Sequence, residues 1–205
     1  PNFIVIYGYE DIILLEDGFE TLVNQKWATS SVGAGANWQR GTPGVAYEGS
    51  FVLRGFQSAS SIGHIARCTF DSVVLSSSLS TAYLSFAHYK NGPNTGKIDV
   101  EIEDQNNPGV WNQIFSGTPG TTESGGSPSD YTYYTINISE YIGNAVSVRF
   151  LYTVTANATL TVTINVDAVK IWGTRYGVLG DISGSRSRWH EISASYVDVV
   201  TASNR

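Results

Sequence analysis

Apolar and polar residues alternate with a period of two along most of this chain, and the alternation predicts strands. In Thr81–Lys90, Ala82, Leu84, Phe86 and His88 share one face, opposite Tyr83, Ser85, Ala87 and Tyr89. Both faces are fairly apolar, as a central strand requires. Lys97–Glu103 sets Ile98, Val100 and Ile102 inward and places Lys97, Asp99, Glu101 and Glu103 in water. The turn QNNPG separates it from a strand at Val110–Phe115, so the two are predicted to form a hairpin or meander. Further strands are expected at Val45–Arg54, Ile65–Phe70, Tyr131–Ile138 and Ala145–Val154. Gly117–Asp130 reads as a long surface loop.

The stretch Leu160–Trp172 changes phase. Leu160, Val162, Ile164 and Val166 lie on one face, but after Asp167 the apolar positions become Val169 and Ile171. A bulge or bend is predicted at Asp167. No segment carries convincing helical periodicity beyond about one turn near Ser139–Ile142. The chain therefore reads as all-β, an antiparallel jelly-roll β-sandwich over 16–173 with extended N- and C-terminal arms at 1–15 and 174–205. Phe3–Leu15 reads as an arm or edge strand, and Tyr176–Ser187 as a linker. Arms with apolar content must either return to their own domain or dock on a neighbouring chain. The residues expected at such an interface are Phe3, Ile4, Val5, Ile6, Tyr7, Trp189, Ile192, Tyr196 and Val197.

Composition narrows the classes. At 205 residues, 41% hydrophobic and 12% aromatic, the chain can fill a sandwich core. A net charge of −6 disfavours a phosphate-binding surface, so no nucleic-acid partner is expected. No apolar run is long enough to suggest a membrane span. No charged segment followed by a long apolar one marks a signal sequence either. The single cysteine, Cys68, permits no intramolecular disulfide and is expected as a buried thiol.

Several short motifs occur in order: Asp17-Gly18-Phe19-Glu20, then Ile138, Tyr141 and Gly143 in an I-x-x-Y-x-G pattern, then Val166, Asp167 and Val169 in V-D-x-V. This order resembles the MAM-like, concanavalin-like jelly-roll sandwiches, the adhesion modules of secreted and cell-surface proteins. The resemblance covers roughly 16–173 and implies a structural calcium ion held by Glu20 and Asp167, with Asp17 as a further ligand. It departs from the family in lacking disulfides and in placing Ala168 where a second acid often stands. Calcium takes six to eight oxygens, so backbone carbonyls and water would complete the shell. Such an ion braces the sandwich and performs no reaction.

Catalytic motifs are absent. There is no G-x-S-x-G, no H-E-x-x-H and no phosphate-cradling glycine motif. His190-Glu191 lacks a second metal histidine, and His64, His88 and His190 are scattered. Asp99, Glu101 and Glu103 share a face as paired glycosidase carboxylates do, but that strand fits a solvated face equally well. No enzymatic activity is expected. Trp27, Trp38, Trp111, Tyr131, Tyr133 and Tyr134 could form a sugar platform, although a sandwich of this size needs most of them inside.

The combination of an adhesion-type sandwich, apolar arms, no disulfide and no evident signal favours a virion structural protein. A tailed-phage capsid decoration (cement) or accessory head or tail protein is the leading expectation, its arms docking on capsid proteins and on copies of itself. The alternative is a secreted or cell-surface module whose partners are glycans. The first places the protein in the virion, the second outside the cell.

Overall fold

The computed structural model describes residues 3–20, 27–33, 36–42, 46–57, 62–91, 96–117, 131–155, 162–182 and 197–202. They form two packed antiparallel sheets and one short 3-10 turn at Ser139–Tyr141. The strands are β1 (Phe3–Asp17), β2 (Trp27–Val32), β3 (Ala36–Gly41), β4 (Val52–Gln57), β5 (Ile65–Val74) and β6 (Thr81–Asn91). They continue with β7 (Gly96–Asp104), β8 (Trp111–Gly117), β9 (Thr132–Asn137), β10 (Ala145–Val154), β11 (Val162–Ile182) and β12 (Val197–Ala202). No helix among the described residues is long and apolar enough to cross a membrane.

One sheet runs β2-β5-β10-β7-β8. The other runs β12-β1-β11-β4-β3, with β6 also paired to β11, and β9 to β6. Alternation decides what each strand turns inward. Val146, Val148, Phe150, Tyr152 and Val154 of β10 are all buried, as are Leu84 and Phe86 of β6. Phe86 meets Phe150 edge-on across the sandwich at 5.3 Å between centroids. Burial of each such ring is worth about 1.5–3 kcal/mol. Trp38 spans the same gap, its indole N–H donating to the carbonyl of Ala66 at 3.0 Å. Cys68 is buried in this core, and burial pushes its thiol up to about 12.

The predicted bulge is present. The register of β11 against β6 shifts between Asp167 and Lys170, and Ala168 adopts a left-handed φ of 48°. At this step one edge of β11 changes partner. It pairs with β4 through Val166 and with β1 from Val169 onwards.

Several expectations are corrected. Phe3–Leu15 is no free arm: β1 pairs with β11 from Ile4 to Asp17, and Phe3–Gly8 also has β12 on its other side, with Ile4 opposite both Ile182 and Thr201. Tyr9–Leu15 has no second strand partner among the described residues and so is the edge strand that the sequence allowed. The boundaries drawn at 15/16 and 173/174 fall inside β1 and β11, and Tyr176–Ile182, read as linker, continues β11. The backbone of Phe3, Ile4, Val5, Ile6, Tyr7 and Val197 pairs within the chain, whereas Trp189, Ile192 and Tyr196 lie outside the described residues. Of the strand expected at Val45–Arg54, only the part from Val52 is extended. Residues 46–51 instead form a looped segment, because their backbone amides bond to side chains, as described next.

Candidate functional site

Glu20 and Asp167, expected together, converge on one loop. Asp167 Oδ2 accepts from the amides of Tyr47 (2.9 Å) and Glu48 (3.1 Å), and its Oδ1 from Ala168 (2.8 Å). Glu20 Oε1 accepts from the amides of Ser50 and Phe51, both at 2.8 Å. Gly49 lies between these pairs with φ 62°, and a Cβ there would sit 2.3 Å from the Glu20 carboxyl carbon. Arg40 holds the other side. It donates to the carbonyls of Phe19 and Glu20 and lies 3.3 Å above the Phe51 ring.

Asp17 serves a separate brace. Its Oδ1 accepts from the Phe19 amide at 2.7 Å and its Oδ2 from the Trp27 indole at 2.9 Å. The first bond closes the Asp17-Gly18-Phe19 turn, in which Phe19 takes φ 58°.

The electrostatics of the two convergent acids differ. Backbone donors at Phe51 and Ser50 lower the pKa of exposed Glu20. Burial raises Asp167 to about 6 against the three amides, with Glu48 adding like-charge repulsion. A cation would relieve both of the unfavourable effects on Asp167. Among the described residues no group of three or more His, Cys, Asp or Glu is placed to hold an ion, so carbonyls and water would supply most of a calcium shell.

The loop carries Tyr47 onto the outer face of the seven-stranded sheet. There its ring stacks on Tyr133 at 5.9 Å and an interplanar angle of 22°, and contacts Tyr131 at 5.8 Å. Tyr131 in turn contacts Tyr89 at 5.3 Å and hydrogen-bonds Asn165. It is 8% exposed and forms the floor of the cluster, and burial raises its hydroxyl pKa. Farther along the same face, Trp172 lies 4.7 Å from Tyr83, its indole N–H donating to Ser85 Oγ at 3.0 Å. Beyond that, Tyr9 and Tyr176 are in contact at 5.2 Å. Tyr9 (40%), Tyr47 (37%), Tyr133 (46%) and Tyr176 (44%) are the exposed aromatics among the described residues, and all four lie on this face. Exposed rings gathered on one sheet face offer flat apolar surfaces edged by hydroxyls, the chemistry that stacks on sugar rings.

The aromatic residues that the sequence offers as a platform cover only part of this face. Tyr133 is on it and Tyr131 lies beneath it, but Trp27, Trp38 and Tyr134 pack into or against the core. Trp111 belongs to the other sheet, where the Arg149 guanidinium covers its ring at 3.9 Å. Tyr9, Tyr47, Tyr83, Trp172 and Tyr176 complete the face without belonging to that set. Their only signal was alternation opposite Leu84, Phe86 and Ile171, which does not say whether an aromatic face is covered.

The charged face of β7 is not simply solvated. Asp99 is 8% exposed and pairs with Lys97 at 2.9 Å. Glu101 takes both Nε and Nη2 of Arg149, at 2.6 and 2.5 Å. Glu103 accepts from the Gly109 amide and from Gln105. Each carboxylate is bound within its own sheet, an arrangement that suits bracing. His88 is buried, 6.4 Å from Tyr134.

No family model and no curated protein matches the chain. Solved structures do match. A β-sandwich carbohydrate-binding module of promiscuous specificity is 18% identical, with a TM-score of 0.54, covering 75% of this chain and 60% of that one. The K2 cleaved adhesin domain of Lys-gingipain is 17% identical, with a TM-score of 0.53, over 80% of this chain and 99% of the domain. The K3 adhesin domain of the same protein, from Porphyromonas gingivalis, gives 17% and 0.52 over the same shares. At such identities the likeness is one of fold. It supports a β-sandwich of jelly-roll type and does not single out the MAM-like family.

Proposed function

We propose that the chain is a non-catalytic carbohydrate-binding or adhesion module that works outside the cell, with the outer face of the seven-stranded sheet as its binding surface. The observation that carries this is the gathering of the exposed aromatics on one face, with Tyr47 and Tyr133 stacked. The fold shared with carbohydrate-binding and adhesin domains supports the same reading. Glycans are then the partners. Calcium at Glu20 and Asp167 belongs to this proposal as a brace beneath the Tyr47 loop and takes no part in chemistry.

The virion role rested on arms free to dock on neighbours. The in-chain pairing of β1 with β11 and β12 weighs against a free N-terminal arm, most of the C-terminal arm lies outside the described residues, and no support for capsid partners arises from the matched structures.

The test is retention of the full chain on a glycan array and on immobilised polysaccharides. Retention lost in Tyr47→Ala and Tyr133→Ala, with an unchanged circular dichroism spectrum, is the expected result. Absence of retention on every glycan, or retention indifferent to both substitutions, would overturn it.

A further inference from the structure

The aromatic pairs on the binding face are evenly spaced, and the spacing has a direction. Residues opposite one another in antiparallel strands share a face, so the register reads out the surface row by row. Tyr9 is opposite Tyr176. Ile13, Trp172, Tyr83 and Asn137 form a second aromatic row. Ala87 and Tyr133 form a third, completed by the ring of Tyr47. From Tyr176 to Trp172 along β11 is four residues, and from Tyr83 to Ala87 along β6 is again four. Each step is about 14 Å, and the three aromatic rows span about 27 Å along the strands.

Polar rows lie between them. Asp11, Thr174 and Thr81 separate the first pair from the second, the two threonine hydroxyls being 2.7 Å apart. Glu16, Lys170, Ser85 and Thr135 separate the second from the third. Stacking surfaces therefore alternate with hydroxyl and charged groups along the strand direction and not across it. A compact or branched epitope would meet one aromatic row. Only an extended chain whose ring faces and hydroxyl edges recur along its length meets them all.

From this alternation we infer that the ligand is a long, linear oligosaccharide lying parallel to β11, with three stacking subsites: Tyr47/Tyr133, Tyr83/Trp172 and Tyr9/Tyr176. The inference rests on the glycan-binding reading above and specifies its ligand. β11 and β1 run past the end of β6, which pairs with β11 only as far as Thr174. The Tyr9/Tyr176 subsite thus lies on the extension that β1 and β11 add to the sandwich.

The probes are linear β-1,4-linked gluco-, xylo- and manno-oligosaccharides from disaccharide to octasaccharide, titrated calorimetrically into the full chain, alongside the glycan array. Affinity in at least one series is expected to keep climbing beyond the trisaccharide until the chain is long enough to span the three rows, about 27 Å, and to level off there. Tyr176→Ala should weaken octasaccharide binding by about tenfold while leaving the trisaccharide unchanged, because loss of one stacked ring is felt only by a chain that reaches it. Tyr133→Ala should likewise weaken octasaccharide binding, because a chain that spans all three rows stacks on that ring too. Affinity that levels off at the trisaccharide, indifference of the octasaccharide to Tyr176→Ala, or capture of short or branched epitopes alone would overturn the linear-chain inference and leave glycan binding standing. Capture of nothing would overturn both.

Discussion

Glu20 and Asp167 hold the same loop by two adjacent pairs of amides, Glu20 taking Ser50 and Phe51 and Asp167 taking Tyr47 and Glu48. The first acid follows the turn after β1, and the second sits where β11 exchanges β4 for β1. Without those carboxylates the loop amides at the break between β4 and β1 would lack acceptors, and Tyr47 would lose its fixed place over Tyr133.

Asp167→Ala should cost about 2 kcal/mol, the order expected when buried donors lose their acceptor. Chemical denaturation measures the loss, and hydrogen exchange should quicken at the amides of Tyr47 and Glu48. Protection that stays at the wild-type level would show that the loop is held by something else.

The two acids pull stability in opposite directions with pH. Asp167 is raised from 3.8 to about 6, so between those values the folded state binds more protons than the unfolded one. Its contribution is present below 3.8 and is lost as pH rises through about 6. Glu20 is lowered from 4.5, so its contribution is present above 4.5 and is lost as pH falls through its lower folded value. From about pH 4.5 to 6 the Asp167 contribution should fall, read as the difference in melting temperature between the wild type and Asp167→Asn at each pH. A difference that stays constant over that range would place the pH dependence elsewhere.

Calcium at Glu20 and Asp167 would keep the buried carboxylate ionised. Adding millimolar calcium at neutral pH should raise the melting temperature by mass action, chelator should reverse the rise, and the gain should shrink below about pH 6. Glu20→Gln should abolish it. Melting curves that ignore both calcium and chelator would remove the ion from the site.

Arg149 joins Glu101 through two nitrogens and covers the Trp111 ring, with both charged side chains 18% exposed. Arg149→Ala should destabilise by about 2 kcal/mol, and Arg149→Lys should recover little of it, because an ammonium cannot form the planar fork or lie flat on the indole. Full recovery by lysine would reduce the contact to simple charge pairing.

Ala168 carries φ 48° without glycine's freedom. Ala168→Gly should be neutral or stabilise by up to about 1 kcal/mol, since the native conformation excludes most Cβ-bearing residues. A clear loss of stability would mean that the alanine methyl packs in a way that outweighs the backbone strain.

Alternation is a local property, so β6, β7 and β10 could be read almost to their ends from the chain alone. The phase change at Asp167 was legible for the same reason: a bulge moves every later residue to the other face. Misreadings arose where the deciding partner is remote. The apolar segment Phe3–Leu15 reads equally as an arm or a strand, and the choice is made by β11, which pairs along it, and by β12, which pairs with Phe3–Gly8. The carboxylates of β7 looked solvated until Lys97 and Arg149 were found beside them.

An all-β sandwich, its inward residues and the kink in its long strand are legible in the chain alone, because a two-residue period and a broken period are written in neighbouring positions. That Glu20 and Asp167 grip one loop, and that Tyr9, Tyr47, Tyr83, Tyr133, Trp172 and Tyr176 share one surface, emerges only in the folded chain. Those residues become neighbours through the register of non-consecutive strands and the placement of a loop, which depend on long-range packing.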